Sequence, residues 1–73
     1  MSHTVSAELV ASVYQVVATV GQPVGATDTL VILESMKMEI PVLAEVSGVV
    51  REIAVSVGDV ITEGDVIAVI DAA

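Results

Sequence analysis

Cysteine, tryptophan and phenylalanine are absent from this 73-residue chain, and Tyr14 is its only aromatic residue. Without cysteine, the chain can form neither a disulfide nor a thiolate metal site. A domain of this length also buries only roughly 60% of the surface that its unfolded chain exposes. Its stability must therefore come from aliphatic packing, which agrees with an apolar content of 55%.

Basic residues are scarce as well: Lys37 and Arg51 stand against ten acidic residues, which gives a net charge of −8. Nucleic acids and anionic membrane surfaces attract clusters of lysine and arginine, so we expect neither as a partner. No apolar run approaches the ~20 residues of a membrane span, and the N-terminus lacks a secretory pattern. We expect a cytoplasmic protein with a single domain over residues 1–73 and an ordered core at about 7–71.

The motifs of independent catalysis are also missing. The only histidine, His3, lies where chain ends usually fray, so a histidine-based nucleophile or zinc site is not expected. Neither GxxxxGK[ST] nor GxGxxG occurs, and the glycines are scattered as turn residues. Two carboxylates alone can form an acid–base pair, but so short a chain has little room for a pocket around them. We therefore expect a protein that is not an enzyme.

The chain contains an internal repeat. A shift of 37 positions aligns residues 20–24 with 57–61 and residues 28–33 with 65–70. Both halves are rich in β-branched residues, which favour strands over helices. Short strands separated by frequent turn signals predict a small sandwich or flattened barrel, in which the two halves are related by an approximate two-fold axis.

The strand pattern can be placed along the chain. We predict strands at residues 8–11, 13–18, 29–33, 39–43, 49–56 and 66–70, with short bridges near Val24 and Ile61. Pro41 has no N–H to donate, which limits the fourth of these strands to the edge of a sheet or places Pro41 where no ladder partner is needed. Gly48, Gly58 and Gly64 are predicted to supply positive φ angles at turns.

Lys37 lies between the third and fourth predicted strands, in the segment ESMKME at residues 34–39. So few residues between two strands predict a tight hairpin with the lysine at its tip. Neither Asn nor Gly occupies the tip, so something other than turn preference must hold it. Met36 and Met38 are flexible and apolar at a place where burial is difficult, which favours adaptable recognition of a partner. Glu34 and Glu39 are interpreted mainly as solvating charges beside the tip.

The segment ESMKME resembles the attachment motif of biotinyl domains, in which a lysine lies between two methionines. The resemblance extends from about residue 8 to 70 and includes Gly21, Pro41 and the Ser47-Gly48 pair. It implies an all-β fold: a flattened β-barrel or sandwich of two four-stranded antiparallel sheets with quasi-two-fold symmetry, the barrel-sandwich hybrid.

Two positions depart from the family pattern. Gln22 and Thr27 stand where the family has Asp and Gly in the first-half turn. We expect Gly25 to supply the permissive backbone conformation there instead.

The resemblance also implies a function, that of a biotin carboxyl carrier. Biotin protein ligase would join biotin to Lys37 as an amide, and recognise Met36 and Met38 together with Glu34 and Glu39. The tethered biotin would then carry carboxylate between a biotin carboxylase and a carboxyltransferase subunit. The isolated domain is expected to be a monomer.

Two alternatives stay open. The first is a lipoyl carrier, since lipoyl domains are the sister family, although their hairpins typically read Asp-Lys-Ala and lack the methionines. The second is a free-standing biotinylated module with a binding, storage or regulatory role and no carboxylase of its own. Intact mass separates biotinyl from lipoyl groups, and reconstituted carboxylase activity tests the second alternative.

Overall fold

Eight β-strands and no helix make up the computed structural model, which describes residues 1–73. The strands are β1 (Ser2–Ser6), β2 (Ala11–Val16), β3 (Pro23–Val24), β4 (Thr29–Ser35), β5 (Met38–Leu43), β6 (Gly48–Ile53), β7 (Val60–Ile61) and β8 (Val66–Ala72). They form two four-stranded antiparallel sheets: the terminal sheet, ordered β1-β8-β6-β3, and the hairpin sheet, ordered β5-β4-β2-β7. The predicted fold class is confirmed, and β5, which contains Pro41, is an edge strand as expected.

The repeat determines this topology. Adding 37 to the bounds of β2, β3 and β4 gives the bounds of β6, β7 and β8. The same shift exchanges the two sheets, because each strand of the terminal sheet has its equivalent at the same place in the hairpin sheet. Each half of the chain contributes two strands to each sheet. Neither half therefore has a core of its own.

The glycine turns of the two halves make the same contacts. Gly21 donates its N–H to the carbonyl of Val50 at 2.7 Å, and Gly58 donates to the carbonyl of Val13 at 2.9 Å. Both glycines have positive φ, +92° and +95°. Each turn thus extends the pairing of the short strand that follows it, β3 with β6 and β7 with β2.

Gln22 replaces the family aspartate without loss of its hydrogen bond. Asp59, its repeat equivalent, accepts the N–H of Ser56 at 2.9 Å, and Gln22 Oε1 accepts the N–H of Thr19 at 3.1 Å. The expectation for Gly25 is wrong, because its φ is not positive. The first-half turn is held by side-chain acceptors and needs no second permissive residue.

The first strand corrects two predictions. Residues 2–6, expected to fray around His3, pair with β8, and Val5 within them is buried. The strand predicted at 8–11 is wrong, since residues 8–10 form the bend that carries the chain from the terminal sheet to the hairpin sheet. The physical reason is that β8 pairs with β6 on one side only, so the backbone groups on its other side are available to pair with β1.

Gly48 corrects another prediction. Gly58 and Gly64 have the expected positive φ, but Gly48 does not and lies within β6. A Cβ added to Gly48 would collide with the carbonyl oxygen of Asp71, in the strand that β6 pairs with. Glycine is required here because two backbones approach closely, not because of its φ.

The core between the sheets is entirely apolar. Leu30 and Leu33 of β4, with their repeat equivalents Ile67 and Ile70 of β8, are the largest of its fully buried side chains. The other buried residues are Val5, Ala7, Ala11, Val13, Ala18, Val24, Val31, Ala44, Val50, Val55, Ile61 and Ala68. No polar side chain is buried, and no helix could cross a membrane. The core anchors β4 along most of its length up to the residues that precede Lys37.

Candidate functional site

Lys37 lies at the tip of the hairpin formed by β4 and β5. Ser35 and Met38 are the last cross-strand pair, so Met36 and Lys37 form a two-residue loop. Their φ angles are both positive, 52° and 64°. Positive φ at both central residues is the pattern of a type I′ turn, whose twist matches that of the strands it joins.

Neither loop residue suits that turn. Type I′ turns favour Asn and Gly, and a left-handed conformation costs other residues about 1–2 kcal/mol each. Only one further non-glycine residue, Glu45, has a positive φ. Strain of this kind persists where the surrounding structure enforces it, and it clusters at functional sites. Here the paired strands β4 and β5 enforce it.

The side chains of the tip extend into solvent. Lys37 is exposed and forms no hydrogen bond or ion pair. Met36 and Met38 have exposed fractions of 91% and 62%, so neither folds back onto the sheet. Large exposed apolar side chains of this kind are typical of recognition surfaces.

Two carboxylates lie at the base of the tip. Glu34 and Glu39 are directly opposite each other in β4 and β5, and both are exposed. Neither forms an ion pair within the chain. Like charges in such a cross-strand pair are destabilising by roughly 0.2–1 kcal/mol. The structure therefore brings all the predicted site residues, 34 and 36–39, to one end of the hairpin.

The opposite end of the molecule holds the only histidine. β5 begins beside the tip at Met38 and ends at Leu43, and Glu45 follows just beyond. The Nε2 atom of His3 lies 2.8 Å from Oε1 of Glu45, and Ala73 donates its N–H to the carbonyl of Ser47 at 2.9 Å. The histidine and both chain ends are therefore far from Lys37 and take no part in its chemistry.

Nothing at the tip can activate the lysine. No histidine is near it, and no group of three or more potential metal ligands occurs anywhere in the structure. An accessible primary amine without a general base is a poor nucleophile at neutral pH, but it is well placed for modification by another enzyme. The fold and the site define a small β domain that presents an accessible lysine.

Comparison with known proteins places this domain in a family. The model of the biotin/lipoyl family, described as "Biotin-requiring enzyme", matches residues 3–70. The chain belongs to this family. It is 61% identical over 70 residues to the "Biotinylated protein TB7.3 homolog" of Mycobacterium leprae, which covers 96% of this chain and 99% of the relative. It is 41% identical over 64 residues to the "Biotin/lipoyl attachment protein" of Bacillus subtilis, with 88% of each chain covered.

A solved structure contains the same fold within a much larger chain. The urea carboxylase of Kluyveromyces lactis matches with a TM-score of 0.91 and 37% identity, over 96% of this chain and 6% of that one. The similarity therefore concerns one small part of the carboxylase.

Sequence reasoning did not foresee that both loop residues would have positive φ. The short spacing between the two strands was the signal, because a two-residue hairpin loop needs positive φ whichever residues occupy it. Since neither Asn nor Gly occupies this loop, the strain falls on Met36 and Lys37. A second signal was available for β1. Subtracting 37 from the bounds of β5 gives residues 1–6, which includes the strand that was missed.

Proposed function

We propose that the chain is a biotin carboxyl carrier and that biotin is attached to Nζ of Lys37 through an amide. The observation that carries this proposal is the unpaired, exposed lysine at the tip of a paired hairpin, between two exposed methionines. The relative in Mycobacterium leprae, named as a biotinylated protein, supports biotin as the attached group, and the relative in Bacillus subtilis, named as a biotin/lipoyl attachment protein, supports attachment of a group of this class.

Attachment requires an enzyme, because a lysine amine in water is almost entirely protonated at neutral pH. The partner must activate the carboxyl group that is to be joined and take up a proton from Nζ. We propose biotin protein ligase for this step. The new amide removes the positive charge of Lys37, so the modified tip keeps only the charges of Glu34 and Glu39.

The domain then acts by positioning. When bound, biotin supplies a ureido nitrogen that accepts and releases a carboxyl group. The turn at Met36 and Lys37 holds the attachment point beyond the ends of the strands, and the apolar core keeps the hairpin rigid. A tether of this kind raises the effective concentration of its cargo at two successive active sites. The proposed partners are biotin carboxylase and carboxyltransferase subunits, a view that the match to urea carboxylase supports.

Two other functions, a lipoyl carrier and a biotinylated module without its own carboxylase, can each be distinguished from a biotin carboxyl carrier by a measurement. The family includes lipoyl carriers, but the paired methionines favour biotin, and intact mass distinguishes the two groups. The relative in Mycobacterium leprae is a biotinylated protein nearly as long as this chain, which also fits a biotinylated module without its own carboxylase. Reconstitution of carboxylase activity with candidate subunits decides between that module and the carrier. A monomeric state and a cytoplasmic location stay predictions.

The test of the attachment site is Lys37→Arg. Incubated with purified biotin protein ligase, biotin and ATP, the original chain should gain the mass of one biotinyl group and the variant none. The thermal transition of Lys37→Arg should be nearly the same as that of the original chain, because an exposed side chain contributes little packing. As a matched control, the double variant Lys37→Arg with Arg51→Lys moves the lysine to a sheet surface and should stay unlabelled. Labelling of either variant would contradict the proposal.

The role of the methionines is tested separately. Replacing Met36 and Met38 together by glutamine keeps the side-chain length but removes the apolar contacts. We expect labelling to slow by roughly tens-fold, as for the central contacts of an interface. The pair Met36→Leu and Met38→Leu is the control and should be labelled at close to the original rate. Labelling of the glutamine variant at the original rate would remove the methionines from recognition.

A further inference from the structure

The outer faces of the two sheets differ in chemistry although the repeat makes them structurally equivalent. The hairpin sheet carries outward an apolar face, defined as Tyr14, Ile32, Pro41 and Leu43. Their repeat equivalents on the terminal sheet are Arg51, Val69, Thr4 and Ser6. These four positions are thus mainly polar in the terminal sheet and apolar in the hairpin sheet, while Ser12 and its equivalent Val49 have the reverse distribution. Folding alone does not require the apolar version.

The members of the apolar face lie next to one another. Ile32 is paired with Pro41 across β4 and β5. Tyr14 lies at a bulge between the residues of β2 that pair with Leu33 and Ile32, so it stands beside Ile32. Tyr14 is 50% exposed, and its hydroxyl has no partner. A half-exposed aromatic ring with a free polar end is typical of interface surfaces.

This face continues directly into the attachment hairpin. Side chains two positions apart on a strand point to the same side of a sheet. Glu34 therefore follows Ile32 towards the tip, and Glu39 lies beyond Pro41 in the same direction. Going away from Lys37 along the hairpin, the outer side presents first two carboxylates and then the Ile32–Pro41 pair. Tyr14 lies beside Ile32 on the neighbouring strand.

The tip alone is smaller than the area that a specific protein interface covers. A specific protein interface covers about 800 Å² on each partner, and even transient ones need several hundred. The loop and its closing pair comprise four residues, Ser35 to Met38. An enzyme that acts on the bare amine also has only the lysine side chain for reach, so it must approach the hairpin closely. Its contact must extend from the tip along one side of the sheet.

Charge identifies the complementary surface. Glu34 and Glu39 face each other without a basic partner, whereas their repeat equivalents are Asp71 and Ser2, where no like-charge pair exists. The amino terminus lies 3.8 Å from Asp71. The repulsion at the hairpin is relieved by a partner that brings basic groups, which also gain from the net charge of −8.

We infer that the apolar face is the docking surface for biotin protein ligase, through a ligase surface that is apolar at its centre and basic opposite Glu34 and Glu39. This inference rests on the proposed function. It extends the ligase contact from the tip to Tyr14, on the outer side of the hairpin sheet.

The test compares repeat equivalents. Tyr14→Thr and Arg51→Thr place the same residue at the same structural position of opposite sheets. With purified biotin protein ligase, biotin and ATP, we expect kcat/KM for labelling of Tyr14→Thr to fall about tenfold, mainly through KM. Arg51→Thr should stay within about twofold of the original chain. Leu43→Ser, which installs the residue of the equivalent position Ser6, is a second variant that the fold accepts.

Electrostatics gives an independent readout. The labelling rate of the original chain should fall as salt is raised, because steering by Glu34 and Glu39 is screened. The double variant Glu34→Gln with Glu39→Gln should show a flatter dependence on salt. A rate that is insensitive to salt would contradict the basic surface that we assign to the ligase.

The outcomes separate this inference from the attachment site. If Tyr14→Thr and Leu43→Ser are labelled at the original rate, the docking surface is wrong while the attachment site stands. If the original chain is not labelled, or Lys37→Arg is, the proposed function fails and the docking surface with it. A dimer of the original chain that Tyr14→Thr converts to monomer would show that a second copy covers the face, which also overturns the inference.

Discussion

The hairpin tip and its repeat equivalent occupy the same place in the two sheets but are built differently. At the tip, β4 continues through Met36 and Lys37 into β5. At the equivalent place, β8 ends at Ala72, whose N–H donates to the carbonyl of Met1 at 2.6 Å, and no turn joins β8 to β1. Both strand pairs form antiparallel ladders, each with one register shift at the end away from this place. Pairing of the strands therefore does not depend on a turn at this position, and in the hairpin one of the two residues with positive φ is Lys37 itself.

The largest expected effect on stability concerns Gly48 and its repeat equivalent Ala11. Gly48 lies against Asp71 near the chain ends, whereas its repeat equivalent near the hairpin, Ala11, accommodates a Cβ. Gly48→Ala should destabilise the fold by about 2–3 kcal/mol, because the methyl group forces two backbones apart. The thermal transition should fall by more than ~10 °C. Ala11→Gly is the control; it loses a buried methyl group and backbone order and should cost about 1–2 kcal/mol. Equal losses would remove this asymmetry between the sheets.

A smaller effect of opposite sign is expected at the turn. Met36→Asn combined with Lys37→Gly supplies the residues that a type I′ turn favours. The two φ angles stay positive, but their cost in free energy falls. We expect a gain of about 1 kcal/mol, or a thermal transition higher by roughly 4–8 °C.

The control replaces both loop residues by alanine, which removes the same side chains but keeps the unfavourable φ angles. This variant should unfold close to the original temperature. A comparable gain in both variants would show that the native side chains, and not the backbone, are the source of the strain.

The smallest effect is electrostatic. Glu34→Gln should stabilise the hairpin by a few tenths of a kcal/mol, since it removes a like-charge pair with Glu39. Asp71→Asn, at the repeat equivalent opposite Ser2, has no such repulsion to remove and should give no gain. Thermal unfolding at low and at ~1 M salt checks the cause, because the gain should vanish when exposed charges are screened. A gain that survives high salt would point to packing instead.

Much of the fold was predictable because the repeat is visible in side-chain type. Val24 and Ile61, predicted as bridges, lie in β3 and β7, and Pro41 marked β5 as an edge. Strand β1 was missed because His3 and its polar neighbours carry no strong strand signal. Its pairing is imposed by β8, which is a tertiary effect.

The site was predictable for a different reason. Lys37 is the only lysine, and the short spacing between two strands leaves it nowhere but a tip. The role of Gly48 could not be predicted, because it depends on Asp71, a residue distant in sequence that approaches only in the folded chain. The apolar face around Tyr14 is a similar case, since its members come from three strands.

The contact between Ala72 and Met1 has a consequence for how this domain combines with others. Both chain ends leave from the pole opposite Lys37, where Glu45 and Ser47 follow the far end of β5. A host polypeptide can thus be spliced on at either end without shielding the amine. With the ends already adjacent, a short linker would also allow the chain to be circularly permuted or inserted whole into a larger enzyme. The urea carboxylase, in which a domain like this one accounts for 6% of the chain, is an arrangement of that kind.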